Sequence, residues 1–170
     1  MLHEYGGVRP RLGEGVFIAP GAHVIGDVEI GDHSSIWFNT VVRGDVDSIR
    51  IGRRTNIQDG SICHVMMNEC PLVVGDSVTA GHGVILHGCT VESHCLIGMG
   101  ATIMNNVRVG EGSIVAAGAL LTENTHIDPR SLVMGAPARV EREVTDEEVA
   151  DIDEYARRYC AYKDSYLVGS

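Results

Sequence analysis

The chain has 170 residues, a net charge of −10 (13 Lys and Arg against 23 Asp and Glu) and an apolar fraction of 44%. That length is enough for one core, and that charge argues against a general binder of nucleic acid or anionic membrane. No apolar run approaches the roughly 18 residues of a membrane span. The opening stretch MLHEYGGVRPRLGEG has no charged segment leading into an apolar one, so no secretory signal is expected. Five cysteines without a CxxC pair read as reduced thiols of a cytoplasmic protein. With 21 glycines and 5% aromatic residues, the composition favours short strands and many turns over a helical bundle.

From the N-terminus, Leu12, Ile18, Val24, Ile30, Ile36 and Val42 recur every six residues. The series breaks, resumes at Ile51 and Ile57, and runs unbroken through Val91, Ile97, Ile103, Val109, Val115, Leu121, Ile127 and Val133. Small or modest residues stand four places after members of the last run: Cys95, Ala101, Val107, Ser113, Ala119, Thr125, Ser131 and Pro137. A period of six drifts off a helix of 3.6 residues per turn but is a multiple of the strand period of two. Short strands bent by a turn at each repeat put every aliphatic residue inward, which is a parallel β-helix. The pattern aliphatic–Gly–x–x–small–x, as in IGD, IGR, VGD, IGM and VGE, resembles the left-handed parallel β-helix family of hexapeptide-repeat proteins. There three hexapeptides, about 18 residues, make one triangular coil. The resemblance covers residues 12–138, and the handedness comes from it rather than from the period. Pro137 then takes the chain out of the ladder. Beyond it, Thr145 and Glu148 have capping-box spacing, and Val149, Ile152, Ala156 and Tyr159 recur at helical intervals. The expected architecture is all-β, a β-helix with an α-helix over about 146–165 packed alongside, in a single domain over 1–170.

The breaks gather the unusual polar residues. Val42 to Ile51 is nine residues, Cys63 to Val74 eleven, and Leu86 to Val91 five. Within this section lie Arg43, Asp45, Asn56, Gln58, Asp59, His64, His82 and His87. In HGVILHG, His82 and His87 are five apart, which separates them by about 140° on a helix and puts them on opposite faces of a plain strand. Along an extended facet they lie up to about 16 Å apart, whereas zinc–nitrogen bonds are about 2.0–2.1 Å. His64 and His82 are 18 apart, about one coil, and on that spacing lie near the same edge. One chain therefore does not bring all three histidines to one ion, but two chains of a closed trimer can. The spacing does not say which pair comes from one chain.

That residue set, with Asp59 five before His64 and His82 five before His87, resembles the γ-class carbonic anhydrase family. The resemblance implies a homotrimer that interconverts CO2 and bicarbonate, with Zn2+ (alternatively Fe2+ or Co2+) held between subunits. His64 and His87 would come from one subunit and His82 from its neighbour. Three neutral imidazoles leave the metal its charge and an open position, where water ionises near neutral pH to give hydroxide as nucleophile. By the same resemblance Gln58 orients the water or bicarbonate, Asn56 helps polarise substrate, and Arg43, Asp45 and Asp59 form a charged network across the interface. Tyr159 stands where the family often has an active-site tyrosine. Cys63 beside His64 reads as a small buried hydrophobe, and His3, His23, His33, His94 and His126 read as ordinary side chains.

Two features depart from the best-studied form of that family. Val46, not a glutamate, follows Asp45, and the segment after His64 is short and offers only Glu69 as a proton carrier. A missing relay limits rate more than binding. Other functions of the wider hexapeptide class stand beside the first: coenzyme A-dependent acyl transfer, metal-dependent thioester hydrolysis, or a non-catalytic place in a larger assembly.

Overall fold

A computed structural model describes residues 1–168 and winds them into a parallel β-solenoid with one helix laid along its flank. One face stacks seven parallel strands: Phe17–Ile18, Ser35–Ile36, Asn56–Ile57, Thr79–Ala80, Leu96–Ile97, Ile114–Val115 and Ser131–Gly135. The other two faces form one continuous sheet of twelve strands. They are joined because His23–Ile30 and Val41–Ile51 run on across a corner without a break. Phe17 faces Ser35, Ser35 faces Asn56, Asn56 faces Thr79, Thr79 faces Leu96 and Leu96 faces Ile114. Successive coils therefore take 18, 21, 23, 17 and 18 residues. The two long coils contain the nine- and eleven-residue breaks in the series, and the 17-residue coil contains the five-residue one.

The interior is the aliphatic series itself. Val24, Ile36, Val42, Ile57, Val91, Ile97, Ile103, Val109, Val115 and Val133 are completely enclosed. The exceptions are in the early coils near the open end: Leu12 is 36% exposed and Ile18 is only partly buried. Coils approach so closely at some corners that no side chain fits. A Cβ on Gly98 would stand 2.4 Å from the Ala117 amide nitrogen. At another corner Gly83 adopts φ +67°, the left-handed turn that lets the chain bend from one face to the next with little steric cost.

The exit differs from expectation. After Ser131–Gly135 the chain reverses, and Ala138–Glu143 returns antiparallel on the last coil, with Ala136 and Pro137 making the turn. Pro137 ends the parallel ladder as its missing N–H requires, but the returning strand shows no alternation in the sequence because only Ala138 of it is buried. The helix follows at Asp146–Val168, three residues longer than expected. Its capping box is formed: the Thr145 amide donates to Glu148 Oε2 at 2.9 Å and the Glu148 amide donates to Thr145 Oγ1 at 3.2 Å. Ile152 and Ala156 are buried against the solenoid. The helix runs back towards the first coils, with Asp153 against His94, Cys160 against the His33 carbonyl and Tyr166 against Phe17. No helix among the described residues is long and apolar enough to cross a membrane.

Candidate functional site

The sequence-predicted residues fall into two groups, at the two ends of one facet. That facet carries Ile62–His64 and Ile85–His87 as neighbouring parallel strands, with Ile62 opposite Ile85, Cys63 opposite Leu86 and His64 opposite His87. His64 is therefore coil partner to His87, not to His82. The expectation that His64 and His82 share an edge is overturned by the 23-residue coil. Val65 still packs in the core, but the residues from Met66 to Cys70 bulge out as a loop closed by a bridge between those two, and they displace the register. Cys63 points inward, fully buried, and burial pushes its thiol up to about 12, so it is an inert core residue and no ligand.

At one end of the facet, Nδ1 of His64 faces Nε2 of His87 at 3.1 Å. His64 Nε2 lies 3.0 Å from Asp45 Oδ1, and Arg43 pairs with the other carboxylate oxygen, Oδ2. Burial works against the Asp45 charge, but the hydrogen bonds from Arg43 and His64 outweigh it and hold the carboxyl below its ordinary range. A carboxylate in that state only accepts, so His64 donates through Nε2, and its neutral ring turns an unprotonated Nδ1 towards His87. Asp45 and Arg43 reach this point from Val41–Ile51, whose Val42 pairs with Cys63. Val46 packs on the core beside them and supplies no carboxylate.

At the other end, His82 sits on the corner before Gly83, and its Nδ1 is 2.8 Å from Asp59 Oδ2. Asp59 occupies the same corner one coil earlier, since the Gly83 amide donates to the Asp59 carbonyl. The carboxylate fixes the His82 proton on Nδ1 and leaves Nε2 for another partner. Behind the corner, Gln58 Nε2 donates to Asn56 Oδ1 at 3.0 Å and Asn56 Nδ2 donates to Thr79 Oγ1 at 2.9 Å. Both amides are buried. Tyr159 reaches this corner from the helix and stacks edge-on against Trp37 at 5.3 Å. Burial, then the Asp59 charge, raise its hydroxyl above the ordinary tyrosine value. Trp37, Phe38, Asp59, His82, Tyr159 and Tyr166 line a hollow of about 370 Å³ there.

One chain thus brings together Arg43, Asp45, His64 and His87, and separately Asn56, Gln58, Asp59, His82 and Tyr159. Among the described residues no three His, Cys, Asp or Glu side chains gather as a metal-holding group. The imidazole pair nevertheless suits a metal. Two nitrogens on a tetrahedral zinc with bonds of 2.0–2.1 Å stand roughly 3.3 Å apart, close to the 3.1 Å between His64 and His87. Sequence reasoning missed Asn105, whose Oδ1 is 2.6 Å from His87 Nδ1. It also missed the exposed isoleucines Ile62 and Ile85, side by side between the two groups. Asn105 stands 18 residues after His87, one residue beyond its strand partner, so the ordinary coil length points to this position even though the coil here takes 17 residues.

Comparison with known proteins identifies the family and the fold. The family profile for bacterial transferase hexapeptide repeats matches residues 9–44 and 88–123, the regular coils on either side of the breaks. A carbonic anhydrase of Geobacillus kaustophilus is 44% identical over 159 residues, covering 94% of this chain and 87% of the relative. The chain belongs to the γ-carbonic anhydrase family. Within that family, the mitochondrial gamma carbonic anhydrase 1 of Arabidopsis thaliana is 48% identical over 155 residues, 88% of this chain. The aligned part is 56% of that relative's length. A solved structure from Anaplasma phagocytophilum, described as a hexapeptide transferase family protein, superposes with a TM-score of 0.93 at 42% identity over 97% of both chains. The γ-carbonic anhydrase family therefore shares its coil with proteins named for another chemistry, and the side chains, not the solenoid, carry the functional argument.

Proposed function

We propose that the protein is a metal-dependent carbonic anhydrase that interconverts CO2 and bicarbonate as a cytoplasmic homotrimer. Each metal ion, Zn2+ or alternatively Fe2+ or Co2+, is held by His64 and His87 of one subunit and the partner subunit's His82. The observation that carries this reading is the division of the facet: a facing imidazole pair at one end and a single oriented imidazole at the other, each backed by a carboxylate. In a three-fold assembly of triangular prisms, one copy's His82 corner meets the next copy's His64–His87 end. Ile62 and Ile85, 45% and 37% exposed between those ends, give the facet an apolar centre suited to such contact. The hexapeptide pattern makes the winding left-handed in this reading.

When bound, the metal supplies a Lewis acid that lowers the pKa of water towards neutrality. The chain's residues do the rest. Asp45 and Asp59 hold His64 and His82 in one tautomer each, so that neither ring must turn or lose a proton to bind. Asn56 takes the Gln58 amide hydrogen and leaves Gln58 Oε1 as the acceptor end, which orients the hydrogen of a water or bicarbonate. Asn56 acts on substrate chiefly through Gln58. Tyr159, in the wall shared with Asp59 and His82, closes the hollow against bulk water.

Metal analysis of the wild type is expected to give one ion per subunit, and His82→Ala to lose most of it. Unchanged stoichiometry in the variant would defeat the site. Oxygen-isotope exchange between CO2 and water, followed on zinc-loaded and on anaerobic iron-loaded protein, tests the reaction, and no exchange in either form would sink it. Acyl transfer from coenzyme A that persists after complete metal removal would replace it.

A further inference from the structure

We infer that Asn105 and Glu123 form a positioning arm for His87, fixing its proton on Nδ1 so that two lone pairs face each other across the His64–His87 gap and create a cation site. Naming that cation as the functional metal rests on the reading above; the arm does not. Asn105 follows Thr102–Ile103, which pairs with Ile85–Leu86, and Glu123 follows Leu120–Leu121, which pairs with Thr102–Ile103. Asn105 and Glu123 are thus successive rungs of one column, 18 residues apart, and Asn105, one residue beyond the rung opposite His87, reaches back to it with its side chain.

The orientation of the Asn105 amide follows from its partners. Its Nδ2 lies 3.1 Å from Glu123 Oε1 and 3.7 Å from Met66 Sδ. Both are acceptors. Turning the amide round would set its oxygen against a carboxylate with no hydrogen between them. Nδ2 therefore stays on Glu123, and Oδ1 stays 2.6 Å from His87 Nδ1. An amide oxygen only accepts, so the ring must supply the hydrogen, and in the neutral ring Nε2 of His87 is left unprotonated. Across the gap, Asp45 has already left Nδ1 of His64 unprotonated. Two lone pairs 3.1 Å apart repel unless a shared proton or a metal cation lies between them, and the neutral pair therefore favours a cation there. Asp45 sets one half of the site and Glu123, acting through Asn105, sets the other.

The arm is tested on metal-free protein by two-bond ¹H–¹⁵N correlation spectra of the neutral imidazoles, which read which nitrogen of His87 is protonated. The wild type is expected to show the Nδ1–H form as the main species, and Asn105→Leu to shift it to Nε2–H. Cobalt(II) affinity, measured by chelator competition, is expected to fall 10- to 100-fold in Asn105→Leu. The surface variant Glu123→Ala is expected to fall in the same direction. Glu123→Gln keeps an acceptor oxygen for Asn105 and is expected to stay within about twofold of wild type. A purely structural role for this column would not separate Gln from Ala at position 123. His87 found mainly as Nε2–H in the wild type overturns the arm, as does an Asn105→Leu protein unchanged in both tautomer and affinity. A wild type that holds His87 as Nδ1–H but binds no cobalt leaves the arm standing and defeats the metal reading instead.

Discussion

Side chains here work in pairs, and in each pair a group that can only accept decides what its partner does. Asp45 directs His64, Asp59 directs His82, and the Asn56 oxygen directs Gln58. Hydration of CO2 releases a proton every turn, and this chain offers little to carry it off. Val46 is packed on the core, and Glu69 stands exposed on the loop after His64 with no side-chain hydrogen bond to the imidazole pair among the described residues. Turnover of the metal-loaded protein is therefore expected to rise with the concentration of a diffusible buffer such as imidazole at constant ionic strength, followed by stopped-flow pH change. A rate independent of buffer would mean that an internal group carries the proton.

The helix is the element whose attachment responds to pH. Glu148 closes its first turn, and the Arg142 hydrogen bond, then the Thr145 amide, hold its carboxyl at about 2, below the ordinary 4.5. A depressed carboxyl favours the folded form above its unfolded value and loses that contribution as pH falls through the folded one. Amide exchange over residues 145–152 is thus expected to accelerate as pH falls from about 4.5 to about 2, beyond the intrinsic rate. Glu148→Gln is expected to remove that dependence. The capping box was legible in the sequence because its two residues stand at a fixed spacing and satisfy each other locally. The coil lengths were less legible. The inward series is visible wherever each repeat has the same length, since the same interior position then recurs. Stepping 18 from His64 reaches His82, yet the true partner is His87, because the loop after His64 adds five residues. The eleven-residue gap from Cys63 to Val74 recorded that addition. The returning strand after Pro137 left no trace, because it borrows its register from the last coil and buries almost nothing of its own.

On the scale of the whole molecule, the facet between the two half-sites separates folding from assembly in adjacent residues. Leu86 is fully buried and Ile85 points outward. Leu86→Ala is expected to cost about 2–5 kcal/mol in urea unfolding while leaving the oligomeric state intact. Ile85→Glu is expected to keep the far-ultraviolet spectrum of the solenoid but to sediment as a monomer and bind substoichiometric metal. A trimeric, fully metallated Ile85→Glu protein would show that this facet is not the interface. The −10 net charge also bears on the proposed trimer: like-charged subunits gain little from long-range attraction, so in that assembly short-range apolar contact and the proposed shared metal supply the association energy.

The loop closed by Met66 and Cys70 has one more consequence. Its residues leave the prism and rejoin it without altering the strands on either side, so the interior does not sense how many there are. Leu72 still meets Ile49 and His64 still meets His87. Loop length is therefore a free variable placed within contact of Asn105. A peptide tag or fluorophore spliced between Met67 and Asn68 gains a position beside the imidazole pair at little cost to the fold. The same tolerance lets descendants of this chain lengthen, shorten or recharge the site's rim while the scaffold stays as it is.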